Sequence, residues 1–355
     1  MDFAHAVIDW YNHHKRQLPW RETRDPYKIW LSEVIFQQTR IVQGFEYYVR
    51  FTEKFPTVHH LANAYEDEVL KLWQGLGYYS RARNLHLAAK TVVETFDGKF
   101  PDNYSDILKL KGIGPYTAAA IASIAFNQPY PVVDGNVIRV ISRWFAIEEA
   151  VNSTVGRMKI EKSVQELITG HPPGTFNQAM MEFGALFCKP RKPDCESCIF
   201  NNSCLAFRQG LVGKLPVKIK NQPPKKRFFN YLVILSGNNS NQLIYLKKRP
   251  EGDIWQGLYD FPLIETKTGT DTKSLLSSFA WKAIFNGTHP LVEQVSGEFK
   301  HQLTHQHIFA KFITVKIEEN SLQNADNYNI AGLQKLHDYP IPRLIEQFLT
   351  INGFL

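Results

Sequence analysis

All four cysteines of this 355-residue chain lie in one stretch, CKPRKPDCESCIFNNSC, from Cys188 to Cys204. The others are Cys195 and Cys198, so the spacing is C-x6-C-x2-C-x5-C. Four thiolates so close in sequence can close around a tetrahedral zinc ion or a cubane iron–sulfur cluster. Zinc sites usually pair two short C-x-x-C-like knuckles, and here only Cys195 and Cys198 form one. A single tight wrap around a cluster suits the spacing at least as well. A disulfide framework would instead scatter its cysteines to close large loops. The first gap holds Lys189, Arg191 and Lys192, and three cations on a pinned surface loop make a phosphate clamp.

A second constellation is LKLKGIGPYTAAAIAS, Leu108 to Ser123. A helix ends there, Gly112 and Gly114 permit a tight turn with exposed amides, and a small-residue helix begins near Pro115. Exposed amides at a helix N-terminus form an anion site, and Lys111 adds a cation beside it. Downstream, PYPVVDGNVIRVISRW places Asp134 where another helix starts. An isolated aspartate there is an N-cap. One that follows a glycine hairpin and precedes a cysteine cluster is also a candidate catalytic carboxylate, and it can do both.

These residues need elements to hold them. Phe3, Ala6, Val7, Trp10 and Tyr11 share one helical face, and residues 27–42, 61–74 and 81–96 each read as one helix. No strand alternation precedes residue 225. Residues 213–227, GKLPVKIKNQPPKKR, are Pro- and Lys-rich and read as a linker. Strands are expected at 228–235, 242–248, 293–299 and 307–317, with a GNNSN turn at 237–241 and helices at 273–285 and 341–351. The division expected is a helical region 1–215, a linker 216–227 and an α+β domain 228–355. Hydrophobic residues make up 44% and the net charge is +7, which allows a large core and favours an anionic partner. The N-terminus reads as an amphipathic helix rather than a signal peptide, and no apolar run is long enough to span a bilayer. The expectation is therefore a cytoplasmic protein with no membrane partner, nucleoid-associated if bacterial.

The motifs LPWR (18–21), WLSEVIFQQTR (30–40), GLGYYSRARNL (75–85), LKGIGPYTAAAI (110–121), VVDGNVIRV (132–140) and FNQAMMEFGALFC (176–188), together with the cysteine run, carry a resemblance. The chain resembles the helix-hairpin-helix DNA glycosylases, and within them the MutY-type adenine DNA glycosylases. The resemblance implies an α N-terminal catalytic region, with two helical lobes, the hairpin and a [4Fe-4S] module, followed by an α+β Nudix-like domain. It implies a monomer acting on double-stranded DNA with adenine opposite 8-oxoguanine or guanine. The lysine that bifunctional, endonuclease III-like relatives use as an amine nucleophile is replaced here by Tyr116, so a monofunctional enzyme is expected.

Adenine is a poor leaving group, and two carboxylates can divide the work of protonating the base and supporting a cationic sugar. The positions that match the family are Glu33, as the general acid, and Asp134, as the sugar's counter-charge, with Asn136 and Tyr116 beside them. A free glutamate, with a pKa of about 4.3, is protonated at pH 7 in roughly one molecule in 500; burial must raise it. The base must also leave the stack. Gln38 and Tyr78 match the inserting positions, with Gln37 and Tyr79 beside them, and Arg81 and Arg83 join Lys111 and the cysteine loop as backbone contacts. In the second domain, WQGLYDFPLIE (255–265) is similar to the segment preceding the Nudix hydrolase signature, but the metal-holding carboxylates do not follow. A binding role is expected. The family's Phe-Ser-His lesion loop is represented by Leu303, Thr304 and His305, which keep the hydroxyl and lose the ring. Histidines 301, 305 and 307 are an alternative metal set. Two rival readings are an endonuclease III-like glycosylase–lyase and a non-catalytic DNA-binding or redox-sensing scaffold.

Overall fold

The computed structural model describes residues 2–219, 223–238, 241–319, 321–322 and 324–354. The helices before the sheet are α1 (Phe3–His14), α2 (Pro26–Ile35), α3 (Ile41–Lys54), α4 (Val58–Asn63), α5 (Glu66–Trp73), α6 (Ser80–Phe96), α7 (Tyr104–Lys109), α8 (Pro115–Phe126), α9 (Gly135–Trp144), α10 (Thr154–Ile168), α11 (Pro173–Leu186) and α12 (Leu205–Arg208). The strands are β1 (Lys225–Ser236), β2 (Leu243–Lys248), β3 (Tyr259–Asp260), β4 (Leu263–Thr266), β5 (Leu291–Val295), β6 (Phe299–Gln302), β7 (Gln306–Lys316) and β8 (Asn329–Gly332). Helices α13 (Thr272–Leu276) and α14 (Phe279–Ile284) precede β5, and α15 (Arg343–Ile351) closes the chain.

Contacts divide the chain into two units, Met1–Asn63 with Asn84–Asn221, and Ala64–Arg83 with Gln222–Leu355. In the first, α1, α9, α10 and α11 enclose a core that includes Trp10, Val140, Ile160, Phe176 and Phe183. Ala118, Ala119, Ala120 and Ala122 of α8 are all buried, and α8 packs on α2, α7 and α11. Helices α9 and α11 also approach closely. A Cβ at Gly184 would stand 2.7 Å from the Asn136 Cβ, so only glycine allows that contact.

In the second unit, β1 and β7 pair in parallel from Lys225↔Gln306 to Leu235↔Lys316. The path runs β3-β2-β1-β7-β5, with β4 on β1, β6 on β7 and β8 on β2. Period-two alternation sorts β1 between two cores. Phe229, Tyr231, Val233 and Leu235 face one with α15; Leu232 and Ile234 face the other with Trp281 and Phe285.

The structure departs from the sequence expectations at identifiable places. The helix expected over 27–42 stops at Ile35, and Gln38 takes φ +54° before α3. The helix expected over 61–74 breaks at an extended Tyr65, after which Glu66, Asp67 and Glu68 start α5, where acidic side chains suit the helix dipole. That over 273–285 is split by Ser278, whose hydroxyl accepts from the Trp281 N–H at 3.2 Å and caps α14. Strand β1 begins at Lys225 inside the expected linker, of which residues 220–222 lie outside the described residues, as do Asn239 and Ser240 of the expected turn.

The segment 64–83 groups with the sheet rather than with the helices that flank it in sequence. Lys248 Nζ donates to Asp67 Oδ1 at 2.6 Å and the Tyr259 hydroxyl to Asp67 Oδ2 at 2.8 Å. Gln74 Nε2 donates to Glu346 Oε1 at 3.0 Å. No hydrophobic periodicity encodes such polar ties.

Phe348 is buried and stacks on Phe312 at a centroid distance of 4.0 Å. Phe348→Ala is predicted to destabilise the second unit by about 3–5 kcal/mol, read as a lowered midpoint in denaturant. An unchanged midpoint would show that this stack does not hold α15.

Candidate active site and thiol loop

Asp134 is the N-cap of α9: its Oδ1 accepts from the Asn136 N–H at 2.9 Å and the Val137 N–H at 2.7 Å. Its Oδ2 accepts from Asn136 Nδ2 at 2.7 Å. The cap fixes the carboxyl at a wall of a cavity of about 470 Å³, where Glu33 of α2 and Tyr116 of α8 also stand. The Tyr116 hydroxyl donates to Glu33 Oε2 at 2.7 Å. The cavity thus joins all four expected catalytic residues, Glu33, Tyr116, Asp134 and Asn136.

Burial pushes the Glu33 carboxyl up to about 7. The Tyr116 hydrogen bond and the Arg21 charge pull it down, while Asp134 pushes it further up. Asp134 is also raised, because burial outweighs its three N–H donors and Arg139. The helix N-terminus, which favours an ionised carboxylate, therefore moderates the shift without reversing it. The donor sets still separate the pair: Asp134 accepts three N–H bonds that favour its anion, Glu33 a single hydroxyl.

Behind the cap, Arg139 Nη2 donates to Asn136 Oδ1 at 3.0 Å and to Gly184 O at 2.6 Å, and its Nε to Cys188 O at 2.7 Å. A hydrogen-bonded chain thus runs from the first cysteine to Asp134. Arg143, one turn on, donates to Lys189 O at 2.8 Å, Pro190 O at 3.1 Å and Cys188 Sγ at 3.4 Å. Cys188, Cys195, Cys198 and Cys204 are all free and line one cavity with Arg143. The Phe200 N–H donates to Cys198 Sγ at 3.4 Å. Among the described residues no three His, Cys, Asp or Glu groups converge as a single-ion site, neither the thiols nor the histidines at 301, 305 and 307. A soft, all-sulfur donor set around a shared cavity, met by N–H donors, fits a thiolate-bound cluster.

The other expected residues divide. Lys111, Lys189, Arg191 and Lys192 are exposed. Gly112 has φ +79°, and a Cβ there would lie 2.5 Å from the Asn84 Cβ; Gly114 precedes α8 as its N-cap. Gln38 is exposed with φ +54°, while Gln37 Nε2 donates inward to Thr117 Oγ1 at 3.1 Å. Arg81 is no surface phosphate contact. It is buried, its guanidinium lies 5.0 Å from the Trp73 ring centroid, and Nη2 donates to Gly77 O at 3.2 Å. It braces the turn that presents Tyr78. Tyr78 is about half exposed with φ +48°, and its hydroxyl lies 2.6 Å from Thr304 Oγ1. Thr304 and His305 are exposed; Leu303 packs against the sheet core.

One feature escaped the sequence reading. Glu182 is fully buried at the cavity wall, where it accepts from Arg21 at 2.7 and 2.8 Å and from Arg16 at 2.5 and 2.8 Å. Burial alone would raise its pKa, but the hydrogen bonds from Arg21 and Arg16 overcome it and hold the carboxyl at about 2. Arg21 lies in LPWR and Glu182 in FNQAMMEFG, and nothing in their spacing announces the contact. A depressed carboxylate stabilises the fold above its unfolded pKa. The triad's contribution is therefore predicted to be full above about pH 5 and to fade as pH falls towards 2. Glu182→Gln should flatten that acid limb of a stability–pH curve; an unchanged limb would contradict the ion triad.

The family model of the HhH-GPD superfamily base excision DNA repair proteins matches residues 31–169, and that of the NUDIX domain residues 230–350. The adenine DNA glycosylase of Buchnera aphidicola subsp. Schizaphis graminum is 30% identical, over 98% of this chain and 98% of its own. That of Buchnera aphidicola subsp. Baizongia pistaciae is 33% identical, over 99% and 97%. The structure of a thermostable thymine-DNA glycosylase, 31% identical, covers 58% of this chain and 95% of its own with a TM-score of 0.54. With its hairpin at 110–121, its pair of carboxyls on one cavity and its Nudix-type sheet, the chain belongs to the adenine DNA glycosylases.

Proposed function

We propose that the chain removes adenine opposite 8-oxoguanine, and less well opposite guanine, by hydrolysing the N-glycosidic bond of a flipped nucleotide in base excision repair. The observation that carries the reading is the pair of half-buried carboxyls, Glu33 and Asp134, on one cavity. Glu33, raised to about 7, holds a proton at neutral pH and delivers it to adenine N7. Asp134 faces the sugar as the anion that its three N–H donors support. Charge then develops on the sugar where a counter-charge already stands. Tyr116 orients Glu33 through its hydroxyl, and Asn136 holds the Asp134 carboxyl while Arg139 holds Asn136. No lysine amine occupies position 116, so the sugar–phosphate backbone stays intact after the base leaves.

Cys188, Cys195, Cys198 and Cys204 would hold the [4Fe-4S] cluster. Bound there, the cluster supplies a rigid anchor for its loop, with electron transfer as its available chemistry. The Lys189–Lys192 cations and the hairpin amides near Gly112 and Gly114 then grip phosphates, with Lys111 beside them. Gln38 and Tyr78, both presented by left-handed backbone, fill and wedge the opened stack, with Gln37 steadying the first. Thr304 and His305 read the base opposite adenine. The functional division follows as a glycosylase region (1–215), a linker (216–227) and a lesion-reading domain (228–355), to which the wedge at Tyr78 contributes.

Single-turnover cleavage of an A:8-oxoguanine duplex tests the reading. Strand breaks are predicted only after alkali, at an adenine-release rate that falls as pH rises through about 7, where Glu33 loses its proton. Glu33→Gln is predicted to cost roughly 100- to 10,000-fold in rate with duplex binding retained. Asp134→Asn is predicted to lose roughly 100-fold or more. Breaks without alkali, or full activity in Glu33→Gln, would contradict the assignment.

A further inference from the structure

The sheet-bearing unit has its own cavity, of about 490 Å³, walled by Tyr78, Trp255, Leu303 and Thr304. Three observations single out Trp255. Its backbone holds φ +59°, a left-handed conformation that a bulky aromatic rarely adopts and that tends to mark functional sites. The Leu258 N–H closes the turn on Trp255 O at 2.9 Å. The ring is only half-buried, and its two aromatic neighbours meet it at steep angles: Phe229 at 78° and His301 at 68°. Neither lies flat on it. Trp255 and Leu303 both rest against the edge of the sheet core and both stay half-buried, but the Leu303 side chain is aliphatic. The lesion loop itself therefore offers a hydroxyl and a small imidazole but no larger aromatic face.

We infer that Trp255 is the stacking platform of this cavity, supplying to the base opposite adenine the aromatic face that position 303 lacks. The inference rests on the reading of Thr304 as part of a lesion-recognition site. The two residues divide the work by chemistry. A π face accepts any purine, because stacking depends little on the edge groups. The Thr304 hydroxyl, 2.6 Å from that of Tyr78, meets the base edge, where 8-oxoguanine differs from guanine in its O8 and N7–H. Trp255 then sets affinity for an opposite purine, and Thr304 sets preference between the two.

The experiment uses the full chain with duplexes carrying a non-cleavable adenine analogue opposite 8-oxoguanine, guanine or an abasic site. Trp255→Leu is predicted to weaken binding to both purine duplexes roughly tenfold and to leave the abasic duplex unchanged. Trp255→Phe should restore most of the loss, and the unchanged abasic duplex separates lost stacking from a structural defect. Wild-type affinity in Trp255→Leu, or an equal loss on the abasic duplex, would overturn the inference. The lesion reading fails separately if Thr304→Val leaves the preference for 8-oxoguanine over guanine unchanged.

Discussion

Two half-buried carboxyls on one cavity cannot both ionise cheaply, and the catalytic half of the molecule is arranged around that constraint. Glu33 and Asp134 arrive from separate helices. Burial raises both, and their surroundings then separate them. One is given a hydroxyl donor, the other a helix cap and an amide. That asymmetry is what an acid and a counter-ion require of two otherwise equivalent groups. Most of the local architecture serves it. The small residues of α8 let Tyr116 approach α2, and Gly184 lets α11 close on Asn136.

The thiol loop connects to the same constraint through Arg139. Its guanidinium spans Cys188 O, Gly184 O and Asn136 Oδ1, so the orientation of the Asp134 carboxyl depends on where the loop begins. Arg143 adds further ties to Lys189 and Pro190. The start of the loop, tied down by Arg139 and Arg143, is thus a fixed point for the cap at Asp134 and carries three exposed cations.

Much of this was legible in the sequence because the signals are local. A glycine hairpin, an aspartate before a helix and four clustered cysteines each state their geometry within a few residues. The helix breaks at Gln38 and Tyr65 were not, since apolar periodicity runs through both and the departure lies in backbone dihedrals or an acidic restart. Arg81 looked like a phosphate contact because an arginine beside a wedge motif is ambiguous until burial is known; it is sequestered over Trp73. The Arg16–Glu182–Arg21 triad and the grouping of 64–83 with the sheet arise from partners more than 160 residues apart. Single-sequence patterns do not carry such pairings.

The most direct test of the account is a carbon-13 NMR titration of glutamate side-chain carboxyls in the intact protein, with Glu33 assigned by its loss in Glu33→Gln. The account predicts a Glu33 midpoint near 7 and a downward shift of that midpoint when Asp134 is replaced by asparagine. A Glu33 midpoint in the ordinary carboxylate range, unmoved by that substitution, would contradict it.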